Sequence, residues 1–565
     1  MMPKFLVILL VSVIALSGCA GIPNSSRVYF GEEISADVST QFVRVIARPP
    51  SAGMSPEEIV RGFLDACADP SENYGIARQY LSFDSATKWN PLSGIEIYEA
   101  ATIEVSGSSP TLTVQTGKLG TISDIGRFQS ADPDAQISKT FELQQDASGQ
   151  WRISKLSDGT LLSSGDVDRS FRSFPIYFFD TELKSLITDN VLVPVSDSGA
   201  ATSLVRSLLD GPSPYLSPVA ASAFPVGTTL TYGSVPVTDG VAQVDLSKEI
   251  LGADEPTRRA LSAQLVWTLS TLPNVMSVQI SVSGQPFAPL DITPLQSMKD
   301  WEFLSTLPDP SALDLNVIKN DKIYSVKDGV EELKFTAPSA LMLTSANPDG
   351  SKIAGVTADR KSILLSNGPG TPFAVAAQGE QISEPTWDRS GNVFFADVGQ
   401  GVREILSDGS VRDVLVDTSI LGTADQVEQI SISADGVRVA LVLSDGIQDV
   451  IAVGAIFKTE TESRVIGLHR IERGISSARD ITWTTPTSIA VIGSDDSRNE
   501  LLFDVSILDG KSRSFSIPVG AQQVLVDGSG KLYVTAIDGL EQSVYQQSFG
   551  SWSQVATGIG GFFSR

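Results

Sequence analysis

Four stretches in the C-terminal half share one plan, a strand, a tight polar turn and an alternating strand. They are Asn347-Pro348-Asp349-Gly350-Ser351-Lys352-Ile353-Ala354, Asp388-Arg389-Ser390-Gly391-Asn392-Val393-Phe394-Phe395, Ser433-Ala434-Asp435-Gly436-Val437-Arg438-Val439-Ala440 and Asp527-Gly528-Ser529-Gly530-Lys531-Leu532-Tyr533-Val534. Trp483-Thr484-Thr485-Pro486 fits between the last two without its glycine. Turns near positions 350, 391, 436, 485 and 530 are separated by about 41 to 49 residues, the length of one four-stranded propeller blade. A single blade cannot cover its own faces, so repeats of this kind stack and close into a ring. Val317 to Leu333 offers strands for a shorter first blade. The spacing therefore predicts an all-β propeller of about six blades over residues 310–565, five full and one short.

Asp-Gly pairs recur here, as at Asp328-Gly329, Asp408-Gly409, Asp445-Gly446 and Asp509-Gly510. They lack the spaced oxygen ligands of a calcium loop and match the preferred chemistry of hairpin turns. Trp387 and Trp483 precede equivalent turns, which predicts packing between blades. No metal or cofactor site is read from the chain.

The opposite end sets the compartment. Lys4 precedes an apolar run from Phe5 to Leu16 that is broken only by Ser12. That run is too short to cross ~30 Å of hydrocarbon but suits the core of a signal peptide. Leu16-Ser17-Gly18-Cys19 follows and resembles the bacterial lipobox. The resemblance implies that residues 1–18 are removed and that Cys19 becomes an S-diacylglycerol, N-acylated amino terminus. Two or more acyl chains hold a protein stably on a bilayer, each buried methylene contributing ~0.8 kcal/mol. Residues 19–54, with Ile22-Pro23 and Arg48-Pro49-Pro50, read as an extended tether.

With 41 Lys and Arg against 66 Asp and Glu, the formal charge is −25. Such a surface repels phosphate backbones and anionic headgroups, so no nucleic acid is expected as a partner, and membrane contact falls to the acyl chains on Cys19. Once Cys19 is a thioether, Cys67 has no disulfide partner within the chain. The one histidine, His469, lies in the alternating segment Val465 to Arg470 with no nucleophile motif near it. Serine-histidine chemistry or a histidine zinc site would have to rest on this one residue, and His469 reads as structural or solvent-facing.

Ser55-Pro56-Glu57-Glu58 carries a capping box with proline at the first helical position. Ile59, Val60, Phe63, Leu64 and Cys67 then line one helical face, which makes Cys67 an inert buried thiol. A second short helix is expected over Tyr74 to Leu81. Segments around Ile95, Ile103, Leu112, Ile137 and Trp151 alternate as strands, predicting helices followed by an antiparallel sheet over residues 55–165. The order resembles the nuclear-transport-factor-two-like superfamily, an α+β fold whose pocket can hold a ligand, house an active site or be empty. Nothing acidic or basic recurs here in a catalytic pattern, and a scaffold is expected.

Residues 171–290 begin with the strand Pro175 to Phe179. A helix through Leu204, Val205, Leu208 and Leu209 stops at Asp210-Gly211-Pro212, and then come Phe224-Pro225-Val226-Gly227-Thr228, Val244-Asp245-Leu246-Ser247, and a helix through Leu261, Leu265 and Leu269 to Pro273. These signals resemble the GerMN domain, an α+β binding or assembly module with no catalytic residues to carry over. Asp291 to Asp309 reads as a linker, the 291–309 segment.

Lipobox, tether, helix-then-sheet domain, GerMN-like domain and propeller, in that order, resemble the actinobacterial lipoprotein LpqB family over essentially the full length. The resemblance implies an exported lipoprotein anchored on the extracytoplasmic face of the cell membrane. It also implies an accessory role, regulating the MtrB-like sensor histidine kinase of the MtrAB two-component system through its extracytoplasmic domain, with effects on cell-wall homeostasis and division. No site besides Cys19 carries over, and no enzyme is expected. Two other functions are compatible with the residues. One is a receptor for envelope glycan or peptide, using a pocket in the first domain or the propeller channel. The other is a propeller hydrolase built on paired carboxylates, which would need no histidine.

Overall fold

The computed structural model describes residues 47–565 except 101–102, 109, 133–134, 196–198, 305–313, 320, 328, 369–370, 472–473, 508–511, 540, 549 and 565. The signal sequence, Cys19 and most of the tether, residues 1–46, lie outside the described residues, as do Asp328, Asp509 and Gly510. Among the described residues no helix is long and apolar enough to cross a membrane.

The first domain opens on helix α1, Pro56–Ala66, held at its start by the expected capping box: Ser55 N donates to Glu58 Oε2 at 2.7 Å and Glu58 N to Ser55 Oγ at 3.3 Å. Its inner face buries Ile59, Val60, Phe63 and Leu64, and Cys67 at its end is buried, its thiol pKa pushed up by burial. The second helical segment, α2, covers Ser71–Arg78, but Glu72, Asn73 and Tyr74 have φ of 51°, 56° and 60°. Right-handed helix therefore begins only after Tyr74, next to the expected start, and ends at Arg78, short of Leu81; a third helix, α3, spans Phe83–Lys88. Asp69 Oδ1 accepts the Ser71 N–H at 3.0 Å in the turn that leads into this segment.

The sheet is not purely antiparallel as the alternation predicted. Thr160–Ser163 returns beside Ile95–Tyr98 in parallel register, giving the central order Trp151–Lys155, Gln136–Gln145, Thr111–Ile122, Ile95–Tyr98, Thr160–Ser163. All four residues of Thr160–Ser163 are buried, so this strand lacks the alternation that marks a half-exposed one. Helix α4, Ser164–Ser170, leads out.

In the second domain Phe171–Asp180 pairs antiparallel with Leu186–Pro194. Helix α5, Ala200–Asp210, ends at Gly211, whose φ of 106° suits glycine. Val241–Leu246 and Ser277–Val282 pair in parallel, connected through helix α6, Glu255–Leu269, which Asp254 caps by accepting from Thr257 N at 3.0 Å. The segment read as a linker is partly domain: Leu295–Gln296 adds a strand beside Val278 and Gln279, and Trp301, 1% exposed, sits in this domain's core. Its indole donates to Gln296 Oε1 at 3.1 Å. A buried tryptophan needs such a partner for its N–H, and the local sequence gives no periodicity to announce it. Residues 305–309 of that linker lie outside the described residues.

Among the described residues the propeller forms six four-stranded blades. Blades two to six each run through four strands in order, from Leu341–Ala346 to Ala374–Gln378, Thr386–Trp387 to Val411–Val416, Gln426–Ile432 to Ser463–Arg470, Ile475–Thr485 to Ser512–Ser516, and Ala521–Val526 to Ser551–Thr557. The first blade, expected to be short, is completed from the far end of the chain. Ile559–Ser564 pairs with Asp314–Lys319 beside Lys322–Lys327 and Val330–Thr336. Inner strands abut in sequence around the ring, with Ile559–Ser564 between those of blades six and two. Trp483 packs between blades as expected, its indole donating to Ser431 O of blade four at 3.1 Å.

Blades three and four are fused at their outer edges, Val414 to Val416 pairing in parallel with Ser463 to Val465. The seam is fixed by Glu404, fully buried, which accepts from Arg412 Nε at 2.8 Å, Ser463 Oγ at 2.6 Å and Asn392 Nδ2 at 2.9 Å.

Candidate functional site

The three domains meet at one place, and two buried arginines hold them there. Arg127 sits in the turn of the first domain between Thr111–Ile122 and Phe128–Ser130. Its guanidinium donates to Asp189 Oδ2 at 2.6 Å and to Ser207 O at 3.0 Å, and also to Gly211 O, all in the second domain. Ser207 Oγ returns a bond to Ile125 O at 2.7 Å, and Leu192 N donates to Gly126 O at 2.8 Å. Gly126 is required at that approach: its φ is 80°, and a Cβ there would stand 2.4 Å from Leu192 O.

Arg438, in the second strand of blade four, performs the same service on the other side. It donates to Thr188 O, pairs with Asp435 beneath it, and reaches Tyr215 Oη with Nε at 3.3 Å. Burial opposes its charge, but Asp435 and the Tyr215 hydroxyl more than offset that, and its pKa is raised. Tyr215 packs edge-on to His469 with ring centroids 5.8 Å apart. Ala455 of blade four belongs to the second domain's core, with Val437, Phe457 and Ile466 packed against it.

Between these contacts lies a cavity of about 1000 Å³ with walls from all three domains. The first domain supplies Glu96, Arg127, Gln129 and Lys139, the second Asp189, Asn190, Ser213 and Tyr215, the propeller Gly467 and His469. Four of its charged groups are already engaged with one another. Arg127 is bound to Asp189, and Glu96 is held by Lys139 and, at 3.3 Å, by Lys118. Those lysines bring Glu96 below the usual carboxylate range in spite of its burial. Burial lowers the His469 pKa, which keeps the ring neutral, while Gly467 O lies 2.8 Å from Nδ1. His469 is thus on a cavity wall, a placement its isolation in the sequence did not indicate.

The propeller's inner strands bring together a second polar group. Glu384, Asp480 and Gln523 each stand four residues before the inner turn of their blades, at Asp388, Thr484 and Asp527. Gln523 Nε2 donates to Glu384 Oε1 at 2.6 Å and Gly561 O at 3.2 Å, and Gly561 N donates to Gln523 Oε1 at 3.0 Å. Asp480 Oδ2 accepts from Val524 N at 2.7 Å. Burial raises both carboxyls, that of Asp480 up to about 7, and Asp480 raises Glu384 further. These are two buried carboxyls, and the bonds around them tie blade six to blades three, five and one. The hairpin reading of the Asp-Gly pairs fits Asp408, whose Oδ1 accepts from Ser410 N at 2.8 Å within its own turn. Among the described residues no group of three or more His, Cys, Asp and Glu side chains could hold a metal.

Comparison with known proteins covers all three domains. Family models match for the lipoprotein LpqB N-terminal domain at residues 49–168, for sporulation and spore germination at 175–288, and for the lipoprotein LpqB beta-propeller domain at 326–561. The chain is 26% identical to lipoprotein LpqB of Thermobifida fusca, over 93% of this chain and 92% of the relative. It is 27% identical to lipoprotein LpqB of Mycolicibacterium smegmatis, over 96% and 95%. Among solved structures, the crystal structure of TolB from Acinetobacter baumannii is similar over 47% of this chain and 70% of that one, at 14% identity and a TM-score of 0.37.

Proposed function

The chain belongs to the lipoprotein LpqB family, and from that premise we propose that it is a non-catalytic accessory protein, anchored through Cys19 to the extracytoplasmic face of the cell membrane, that regulates the sensor kinase of an MtrAB-type two-component system. Its family is named for a lipoprotein and not for an enzyme. Leu16-Ser17-Gly18-Cys19 supplies the attachment point that such a name requires. The observation that carries the reading is the double arginine lock, Arg127 to Asp189 and Arg438 to Thr188. It makes three modules one body, so the propeller is presented at a set orientation to the first domain.

Tethering does the rest. Confining two proteins to one membrane raises their effective concentration toward the millimolar range, so a weak interface suffices to bias a kinase. The acidic surface keeps the body off anionic lipid and directs contact to protein. The test is cross-linking in intact membranes followed by capture of the tethered protein, beside kinase output in a deletion strain complemented with wild type or Cys19→Ala. The reading expects the kinase in the cross-linked product, altered output on deletion and no rescue by Cys19→Ala. Unchanged kinase output in the deletion strain would overturn it.

A further inference from the structure

We propose that one end of the second domain, at the carboxyl ends of its two parallel strands, is a bilayer-contact face. Val226, Leu251 and Leu290 enter the boundary between headgroups and acyl chains there and give the anchored body a second hold on the membrane. The proposal rests on the anchoring of Cys19 and goes beyond it.

Three turns meet at this end, each ordered and each carrying an apolar side chain outward. Val226 is fully exposed at the tip of a turn closed by Thr228, whose N–H and Oγ1 both donate to Pro225 O, at 3.1 and 2.6 Å. Leu251, 55% exposed, lies in the short helical turn Lys248–Gly252 that follows Val241–Leu246. The two turns are neighbours: a Cβ at Gly227 would stand 3.9 Å from Glu249 Cγ. Leu290, 69% exposed, comes after Ser277–Val282. Side chains at the start of α6 brace the second and third turns against the same helix end. Arg258 donates to Leu251 O at 3.0 Å and Ala253 O at 2.8 Å, Arg259 donates to Leu290 O at 2.8 Å, and Leu290 N donates to Glu255 Oε1 at 2.8 Å. Apolar side chains held together in water by ordered turns mark a contact surface.

Charge and reach select lipid. Residues 211–238 and 260–290 contain no charged side chain, in a chain with 19% charged residues and a net charge of −25. Between those stretches Lys248, Arg258 and Arg259 balance Glu249, Asp254 and Glu255, and only Asp291 tips this end negative. The repulsion that an acidic body meets at a bilayer is therefore small here. The three side chains project from separate turns, which suits a fluid acyl boundary that asks for no matching shape, and their burial there is favourable as it is in a core. Residues 19–46 span up to about 90 Å when extended, enough to pass around a compact body of this length. An anchor at Cys19 thus leaves this face free to reach the membrane that holds it.

The test uses the full lipidated chain in phosphatidylcholine vesicles, with an environment-sensitive fluorophore on a cysteine introduced by Val226→Cys or Leu290→Cys. Val330→Cys, at a position 70% exposed on blade one, is the control. Cys67 is buried with its thiol pKa raised, and Cys19 is blocked by its acyl chains, so the label goes to the introduced thiol. Lipids carrying a nitroxide about 5–10 Å deep, where interfacial contacts sit, are expected to quench positions 226 and 290 by about twofold or more and to leave position 330 bright. The quenching is the same at low and high salt, because no charge carries the contact, and Leu251→Asp brings position 226 down to the control level. Vesicle-bound chain in which positions 226 and 290 are no more quenched than 330 overturns this proposal alone. Disulfide-linked pairs of Val226→Cys or Leu290→Cys chains without quenching by lipid identify a face between two copies and overturn it as well. Wild type that takes up label at Cys19, or that fails to float with the vesicles, overturns the anchored reading and this one with it.

Discussion

Arg127 of the first domain and Asp189 of the second, 62 positions apart in the chain, form an ion pair of 2.6 Å in which both side chains are about nine-tenths buried. Asp189 spends its remaining capacity on the N–H groups of Ser213 and Asn190, each at 2.8 Å. The pair therefore joins two domains and at the same time shapes the floor of the junction cavity.

Removing one partner of such a pair strands a buried charge, which costs about 3–5 kcal/mol. Arg127→Met also gives up the bonds to Ser207 O and Gly211 O. It is expected to lower stability by about that amount in urea unfolding, while Arg61→Met, whose pair with Glu57 is half-exposed, changes it by less than about 1 kcal/mol. Equal effects of the two substitutions would show that the junction pair is not a lock.

Arg438 is expected to govern cooperativity more than secondary structure. Its bonds to Thr188 O and Tyr215 Oη cross from propeller to second domain, whereas the strands of blade four pair without its side chain. Arg438→Met leaves Asp435 uncompensated at the same seam. Thermal unfolding is expected to be a single transition in wild type and to separate into two in the variant, with the far-ultraviolet circular dichroism at 25 °C unchanged. A single transition at unaltered temperature would remove the seam from the account.

What was legible in the sequence follows from range. Blade count, capping box, the stop at Gly211 and the burial of Cys67 all rest on contacts within a turn or a hairpin, and periodicity and turn chemistry report those directly. The junction does not. Arg127 stands in an unremarkable Gly126-Arg127-Phe128, and nothing local ties it to Asp189 or Asn190. Arg438 carried a faint signal, a cation between Val437 and Val439 in a strand whose neighbours are all apolar. Thr160–Ser163 and Leu186–Pro194 carry no clean polar–apolar alternation in sequence, the first because all four residues are buried and the second because Thr188, Asp189 and Asn190 run together between apolar residues. The closing strand Ile559–Ser564 has no repeat turn of its own, since it supplies an inner strand to a blade that begins at Asp314.

That closure gives a third expectation. Ile559–Ser564 holds Asp314–Lys319 on one side and lies between the inner strands of blades two and six on the other. Its approach is tight: a Cβ at Gly558, where φ is 139°, would meet Ile318 O at 2.7 Å. Ending the chain after Thr557 removes an inner strand and exposes the faces it covered. Hydrogen exchange at Leu315, Val317 and Ile323 is expected to rise by orders of magnitude, with blade four far less affected. Protection in blade one that survives the truncation would mean the ring does not depend on this strand.

The last expectation concerns pH and the acids on the inner strands. The Asp480 carboxyl, 6% exposed, is pushed up to about 7 from an ordinary 3.8, and Glu384 is raised in the same direction. The folded protein then binds these protons more tightly than the unfolded chain does. The groups' contribution is complete below about pH 4 and is lost as pH climbs through 7. His469 works with the opposite sign, its lowered pKa withdrawing stability as pH falls below 6.5, so the comparison is made between wild type and variant at each pH. Asp480→Asn keeps an oxygen for the Val524 N–H and cannot ionise. The variant is expected to match or fall slightly below wild type at pH 4 and to exceed it by on the order of 4 kcal/mol at pH 8, since the rise from 3.8 to about 7 is worth about 1.4 kcal/mol per pKa unit. Denaturant midpoints of the two proteins at pH 4, 6 and 8 measure this, and a difference that stays flat across that range would mean Asp480 ionises as freely in the folded chain as in the unfolded one.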